Sequence, residues 1–386
     1  MEKKLLFVRT RPLESNTSSS IRAQSTVELL HKCGYSITIL TTDVDYSGED
    51  VKNPAIEKII RIQMNGSYNF VRGAGKGSKK AGFLGTIVKT AKKIYRNFVV
   101  VDPLKMSVSK IDSVLGHLET HYDVIASCSD PKSSHLLAQE VVKRGIKCDS
   151  FIEFWGDPLL LDITRKFYLP RFIVKKIEEG LLEGADSIYY VSPYTLQAQQ
   201  SLFPLKAAKM KCLLPSYQKE RLSKPVNKIS KIGYFGDYFS SIRNLKPLYN
   251  AVSQTDYLLE IYGQSDIQLE EKQNIHLHGR VQREVIRKIE DKSDLLICLC
   301  NSSGTQIPGK IYQYASTNKP ILVIRDGDID IEQFFGKYKR FIFCENNTES
   351  IIKTLNSIHN QDFSNLKPVK EFSIDYQIPT IKEVLG

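Results

Sequence analysis

The sequence predicts an α/β protein built as two doubly wound, Rossmann-like domains in tandem. Three observations carry that expectation. Strand-length apolar runs alternate with amphipathic helical stretches in both halves, which argues for parallel sheets with helices on both faces. A polar stretch at 214–230, with Pro215 and Pro225, interrupts the alternation. The 386 residues suffice for two domains of ordinary size.

In order, residues 4–8 read as a strand, 21–32 as an amphipathic helix ended by Gly34, and 36–40 as a second strand. Further strands fall at 58–62, 123–126, 149–153, 187–191 and near Cys212, with helices at 134–143, 171–183 and 195–202. Beyond the polar linker, strands are expected at 231–235, 258–262, 275–278, 295–300, 320–325 and 340–344. Ligands of such sheets sit off the carboxyl ends of the strands. Gly236, Gly263, Gly279 and the loop from Asn301 all follow strand ends, so they are expected to face one crevice.

The most informative stretch is NSSGTQIPGKIYQYASTNKPILVI, residues 301–324. It joins two apolar runs. A short helix is expected from Pro308, because proline is favoured at the first helical position, where its missing N–H needs no partner. The N–H groups of Gly309, Lys310 and Ile311 would then point out of the helix start, with the Lys310 charge beside them. A loop, a helix N-terminus and a lysine after a strand make an anion site, and phosphate is the usual anion. A cation there opposes the helix dipole, which disfavours a merely structural lysine. Gln313 follows on the same face and is placed to bond a sugar hydroxyl.

Bulk properties narrow the class. Hydrophobic content of 41% and charged content of 25% are globular values. No run approaches the roughly 18 apolar residues of a spanning helix. The start, MEKKLLFVRTRPLE, is too short in its apolar part for a signal peptide and reads as a first strand. The seven cysteines are scattered, and Cys298 and Cys300 alternate along one strand. Reduced thiols in a cytoplasmic protein without a zinc site are expected. The net charge of +11 is uneven: nine basic residues and no acidic one lie between Arg61 and Val101, against 45 basic and 43 acidic elsewhere. Within that stretch, GFLGTIVKTAKKIYRNF (82–98) carries its apolar residues on one helical stripe, with Lys89, Lys92, Lys93 and Arg96 on the other side. The segment near 72–98 reads as a membrane-surface helix or, equally, as a helix packed on its own domain. Nucleic acid ranks last, because no RNA- or DNA-binding motif accompanies the charge.

The order of elements resembles a GT-B glycosyltransferase, with its two domains facing a central cleft. GYFGDYFSSIRN, EIYG, NIHLHGRV and DLLICLCNSSGTQIPGKIYQYASTNKPIL follow the order and approximate spacing of family 4-type retaining enzymes of bacterial surface polysaccharide synthesis. The resemblance covers nearly the whole chain. It implies an acceptor-binding domain at 1–215, a nucleotide-sugar-binding domain at 216–370, and a segment at 371–386 returning to the first domain. It also implies that Gly236 opens the loop under the donor diphosphate, and that Arg243 and Lys310 supply two phosphate-binding cations. Arg280 and Val281 would line the base, and Gln306 and Gly309 belong to the donor loop. Gln313 falls where the family has a glutamate on the ribose, and Thr305 near the glutamate that contacts the donor sugar. Three departures stand out: Asp237 follows the loop glycine in place of a base, Thr305 and Gln313 replace both acids, and the first loop, which carries Arg11, has serines where many relatives have glycines.

First-domain candidates are placed by strand ends. EFWGDP (153–158) holds the only tryptophan, and Trp155 with Asp157 suits sugar recognition by stacking and hydroxyl bonding. The competing reading makes Trp155 core and Asp157 a turn residue before Pro158. His135, in SDPKSSH, reaches the acceptor side or serves as a structural helix residue. Two D-x-D matches, Asp43/Asp45 and Asp328/Asp330, read as loop residues, and no metal is expected. Gly73, Gly75 and Gly77 lack the strand that a dinucleotide fingerprint needs.

The resulting expectation is a cytoplasmic, peripheral-membrane, metal-independent retaining hexosyltransferase. Arg243, Lys310 and Asp157 would be catalytic. A UDP- or GDP-sugar would be the donor, and a polyprenyl-linked glycan of capsule, O-antigen or exopolysaccharide synthesis the acceptor. A non-catalytic scaffold or nucleotide-sugar-binding subunit is the alternative, and a GT-B-shaped epimerase is a third reading.

Overall fold

The computed structural model describes residues 3–15, 17–46, 48–64 and 100–385. The basic stretch 72–98 lies outside these residues. The chain divides into two compact units, Met1–Leu214 with Gln377–Gly386, and Pro215–Tyr376.

The first unit runs β1 (Lys3–Val8), α1 (Ser18–Lys32), β2 (Tyr35–Thr42), β3 (Ile56–Ile62), β4 (His121–Cys128), α2 (Ser133–Lys143), β5 (Lys147–Trp155), α3 (Arg171–Leu181), β6 (Ser187–Tyr190), α4 (Pro193–Leu202) and β7 (Met210–Cys212). Its strands form one parallel sheet in the order β3-β2-β1-β4-β5-β6-β7. A parallel sheet covered on both faces needs unbroken apolar strands, and Leu5, Leu6, Phe7 and Val8 of β1 are all fully buried. Thr17 caps α1 by accepting from the Ser20 amide at 3.2 Å, which satisfies one of the free donors at a helix start. Gly34, at φ 101°, ends that helix in the left-handed region that glycine tolerates.

The second unit runs β8 (Lys231–Phe235), α5 (Lys246–Val252), β9 (Leu258–Tyr262), β10 (Ile275–His278), α6 (Arg283–Lys292), β11 (Leu295–Leu299), α7 (Lys310–Tyr314), β12 (Ile321–Arg325), α8 (Ile331–Phe335), β13 (Phe341–Glu345) and α9 (Thr348–Ile358). Its parallel sheet has the order β10-β9-β8-β11-β12-β13. The last helix, α10 (Ile374–Leu385), begins among second-unit residues and ends among those of the first.

Every expected strand is present, with ends shifted by at most two residues. A long 3₁₀ segment, Pro103–Ser113, has no counterpart in the sequence reading, because it lacks a regular apolar period. The polar stretch 214–230, expected as a linker, is bonded into the second unit. The Tyr217 amide donates to Phe372 O at 2.9 Å, the Arg221 amide to Ser316 O at 2.8 Å, and Val226 is buried in that unit's core. All seven cysteines are free thiols.

Both sheets reverse their winding beside their first strand, between β1 and β4 and between β8 and β11. Loops leaving such neighbours diverge to opposite faces and open a crevice at the carboxyl ends of the strands.

Candidate functional site

In the second unit, the loops after β8 and β11 are tied together at the switch point. The Ser302 amide donates to Ile242 O at 2.8 Å. Arg243 Nε donates to Asn301 Oδ1 at 2.8 Å, and Asn301 Nδ2 donates to Gln306 O at 3.1 Å. Gly327, after β12 at φ 74°, closes against this loop, and a Cβ there would lie 2.8 Å from Ser302 backbone. Asn301 thus carries the Arg243 guanidinium and braces the loop holding Thr305 and Gln306. Gln306 is buried, Thr305 and Gln313 are half-buried, and Gly309 is exposed with open space where a Cβ would stand.

Lys310 is the first residue of α7. Its Nζ donates to Glu290 Oε1 at 2.7 Å, and Glu290 Oε2 accepts from Arg221 Nη1 at 2.7 Å. The Glu290 side chain is only 2% exposed. Burial pushes its carboxyl up, but Lys310 and Arg221 outweigh that and hold it below its ordinary value. This corrects the expected helix start. The helix begins at Lys310 rather than Pro308, it is five residues long, and the Ile311 N–H is used by Pro308 O at 3.1 Å. So short a helix has little dipole. The lysine is placed by a buried carboxylate.

Asp237 also has a partner. It pairs with Arg280 and accepts from the Gln264 amide at 3.0 Å. Arg280 is exposed and Val281 half-buried. Beside them His278 stacks on Tyr262 at 4.2 Å and meets Glu260 Oε2 at 2.7 Å. The Gly236 amide donates to Tyr262 O at 2.9 Å. Gly263 must be glycine, because a Cβ there would sit 2.1 Å from Gly236 O.

In the first unit, Arg9 is fully buried and organises the loop after β1. Its guanidinium donates to the carbonyls of Pro12 and Asp130 at 3.0 Å each, to Ser19 Oγ at 3.1 Å and to Ser20 Oγ at 3.2 Å. Burial lowers it to about 10. Ser19 and Ser20, in the first turn of α1, are therefore partners of Arg9. Arg11, the sequence candidate, is half-buried and gives its carbonyl to Arg9. Thr10 stitches this loop to α2, its amide donating to Ser134 Oγ at 3.1 Å and its hydroxyl meeting Ser133 Oγ at 2.8 Å.

Around these loops lies a charged cluster. Lys132 pairs with Asp130 and stands 3.8 Å from Asp162. Arg22 Nη2 lies 3.7 Å from Asp130 and donates to Ser129 O at 2.8 Å. Gly156 leaves room for that guanidinium, since a Cβ there would come within 2.0 Å of it. Asp157 follows, half-buried. Burial and then the Asp130 charge raise its carboxyl to about 6. Asp130 is also pushed up by burial, but Lys132 and Arg22 bring it down to about 2. Two carboxyls in one cluster are thereby driven apart, an arrangement suited to acid–base chemistry.

No family model matches the chain, and no curated protein matches it. Solved structures do. The chain is similar to sucrose-phosphate synthase from Thermosynechococcus elongatus, 12% identical, with a TM-score of 0.64 over 99% of this chain and 98% of that one. It is similar to Anabaena HepE in complex with UDP-glucose, 12% identical, with a TM-score of 0.60 over 99% of both chains. It is also similar to the catalytic domain of starch synthase IV from Arabidopsis thaliana bound to ADP and acarbose, 9% identical, with a TM-score of 0.66 over 100% of this chain and 98% of that one. The fold is GT-B.

Within this GT-B chain, two acceptor-side candidates require correction. Trp155 and His135 are both fully buried and stack at 4.3 Å in the core of the first unit. Trp155 Nε1 donates to Glu153 Oε2 at 2.8 Å, and His135 Nδ1 meets Ser127 Oγ at 2.7 Å. The strand-end rule misplaced Trp155 because it is the last residue of β5 itself, where side chains still alternate into the packed faces, and misplaced His135 because it lies on the buried face of α2.

The same pair yields a pH prediction. Burial raises Glu153 to about 8 and lowers His135 to about 3, so both are neutral near pH 7. Above its ordinary 4.5, the unfolded chain loses the Glu153 proton that the fold retains, so stability falls as pH rises from 4.5 to about 8. Below its ordinary 6.5, His135 binds a proton only when unfolded, so its contribution falls as pH drops toward about 3. Glu153→Gln keeps an acceptor for Trp155 and removes the alkaline slope. Melting midpoints of the variant should stay flat between pH 6.5 and 8 where the wild type declines; parallel curves would contradict the assignment.

One residue of each D-x-D match serves the backbone. Asp43 Oδ1 accepts from the Met64 amide at 2.8 Å, and Asp330 caps α8 from the Gln333 amide at 3.1 Å. Among the described residues, no group of three or more His, Cys, Asp or Glu side chains is placed to hold a metal ion. Sequence reasoning missed Glu290 and Arg221, whose neighbours in sequence carry no motif, and it gave Asn301 no role of its own although Asn301 opens the 301–324 stretch. It also passed over Asp130 and Lys132, although their strand-exit position in SDPKSSH was a usable signal.

Proposed function

We propose that the chain is a retaining, metal-independent glycosyltransferase. It takes a hexosyl group from a UDP- or GDP-sugar in the second unit and delivers it to a glycan acceptor engaged by the first. The acceptor is a polyprenyl-linked glycan at the inner face of the cytoplasmic membrane, in capsule, O-antigen or exopolysaccharide synthesis. The observation supporting this reading is the second-unit switch point, where the loop after β8 meets the loop after β11 through Arg243 on Asn301, and where the same β11–β12 connection carries Lys310, paired with Glu290. The likeness to a structure holding UDP-glucose and to one holding ADP supports it.

In this mechanism Arg243 and Lys310 stabilise the departing diphosphate, as preorganised charges do where negative charge develops. Gly236 and Gly309 leave room for the phosphates, Gln313 bonds the ribose, Thr305 and Gln306 face the donor sugar, and Arg280 and Val281 flank the base. The leaving phosphate takes the acceptor proton on the same face of the sugar. Asp157 orients the acceptor hydroxyl in its ionised form. With Asp157 raised to about 6, transfer should decline as pH falls through that value. In Asp157→Asn that acid limb should vanish along with most activity. An unchanged pH profile in the variant would remove Asp157 from the chemistry.

Among the described residues no helix is long and apolar enough to cross a membrane, and this reading makes the membrane contact peripheral. The test of the whole reading is thermal stabilisation by a panel of nucleoside diphosphates, on wild type and Lys310→Ala. A ligand at 100 times its Kd stabilises by about 2.7 kcal/mol. A shift with one base, lost in the variant, supports the donor site and names its class. No shift with any nucleotide removes the second unit as a donor site. A nucleotide-binding scaffold is the second reading, favoured by the Glu290 and Asp237 charges already opposing Lys310 and Arg280. It predicts a shift without transfer.

A further inference from the structure

The stretch 163–177, ITRKFYLPRFIVKKI, carries five cations, Arg165, Lys166, Arg171, Lys175 and Lys176, and no acid between Asp162 and Glu178. It forms the approach to α3 and that helix's first turns. The buried face of α3 is Val174, Glu178 and Leu181, and Glu178 is committed to the Leu159 and Leu160 amides at 2.8 Å each. Phe172 lies off that face and is 73% exposed, and Tyr168, just before the helix, is 54% exposed. Lys175 Nζ stands 5.6 Å over the Phe203 ring, and two residues beyond Phe203, Leu205 is 95% exposed.

Single exposed apolar residues are ordinary. Two large aromatic rings within five residues, beside the exposed cations Lys166, Arg171 and Lys176, are a different matter. Water is a poor solvent for the rings, and an acidic protein surface would satisfy only the charges. An anionic bilayer satisfies both, because aromatic rings settle at headgroup level while lysine and arginine meet lipid phosphates.

We propose that this 165–176 surface docks on an anionic phospholipid bilayer, with Tyr168, Phe172 and Leu205 entering the headgroup layer and Lys166, Arg171 and Lys176 meeting the phosphates. The inference deepens the peripheral-membrane part of the proposed function and rests on that part alone. It uses none of the residues in the basic stretch 72–98.

The test is flotation of the full chain with vesicles of phosphatidylcholine alone and of phosphatidylcholine mixed with phosphatidylglycerol. Wild type should bind the anionic vesicles, lose binding as salt rises, and bind neutral vesicles far more weakly. Charge reversal (Lys166→Glu with Lys176→Glu) and ring removal (Tyr168→Ser with Phe172→Ser) should each weaken binding at least about tenfold. These side chains are exposed, so both variants should keep the wild-type melting midpoint and any nucleotide-induced shift. Failure of that shift in wild type, with vesicle binding intact, would count against the transferase and leave this surface standing. Wild-type binding in both variants would assign the membrane contact elsewhere and overturn the proposal. So would unchanged vesicle binding together with lost transfer to a soluble glycan, which would make this surface an acceptor site.

Discussion

Lys310→Ala is expected to cut sugar transfer at least about tenfold, a loss of more than about 1.4 kcal/mol at the transition state. The departing diphosphate gains negative charge as the glycosidic bond breaks, and an ammonium already in position stabilises it without reorganisation. Glu290 provides that positioning. It holds Lys310 at 2.7 Å while Arg221 occupies its second oxygen, so the lysine stands in one place before a donor arrives. In the proposed site a donor diphosphate would compete with a single buried carboxylate for the ammonium. A second variant separates charge from placement. Glu290→Gln keeps the side-chain shape and removes the counter-charge, so it should retain nucleotide binding while changing kcat. Lys310→Ala should lose the nucleotide-induced thermal shift as well. Normal turnover in Lys310→Ala would sink the assignment.

The second large effect concerns a residue far from any chemistry. Arg340→Leu is expected to destabilise the protein by about 3 kcal/mol or more. Arg340 is 2% exposed. Its guanidinium donates to Tyr314 O at 3.3 Å, to Ala315 O and Lys367 O at 3.2 Å each, and also to the carbonyls of Thr317 and Lys319. Those carbonyls include the end of α7, where helical bonding leaves acceptors without partners. Leucine would remove this buried donor from all five, although Tyr314 O and Ala315 O keep the Thr317 and Val369 amides at 2.9 Å each. Because α7 is short, a loosened end should also displace Lys310 at its start, so nucleotide affinity should fall with stability. Urea unfolding with and without nucleotide reads both quantities. An unchanged midpoint would show that water replaces the guanidinium at no cost.

These two residues also mark how far the sequence could be read. Strands and long helices were legible because their signal is local: apolar alternation or a period of 3.6 within a dozen residues. Lys310 stands out as a candidate on an equally local signal, a cation at a strand exit behind a proline. Its partner does not. Glu290 lies 20 residues from Lys310 and 69 from Arg221 in sequence, on a helix that reads as solvated from its composition. The stretch carrying Arg221 looked like a linker because its polar residues find their partners only in the folded second unit.

The error at Trp155 has a related cause. A strand end tells which edge of a sheet a residue occupies, but whether a side chain turns into the core or out to ligand depends on the helices above it. In the packed first unit His135 stacks on Trp155 and Trp155 donates to Glu153, and Asp157, two residues beyond Trp155, enters the charged cluster. The sequence alone determined two parallel α/β sheets, their strand boundaries and the loops that cross their carboxyl ends, because backbone periodicity is written into neighbouring residues. Tertiary structure alone decided which charges are paired, which are buried and which remain for a ligand, because those depend on contacts between residues that the chain brings together only on folding.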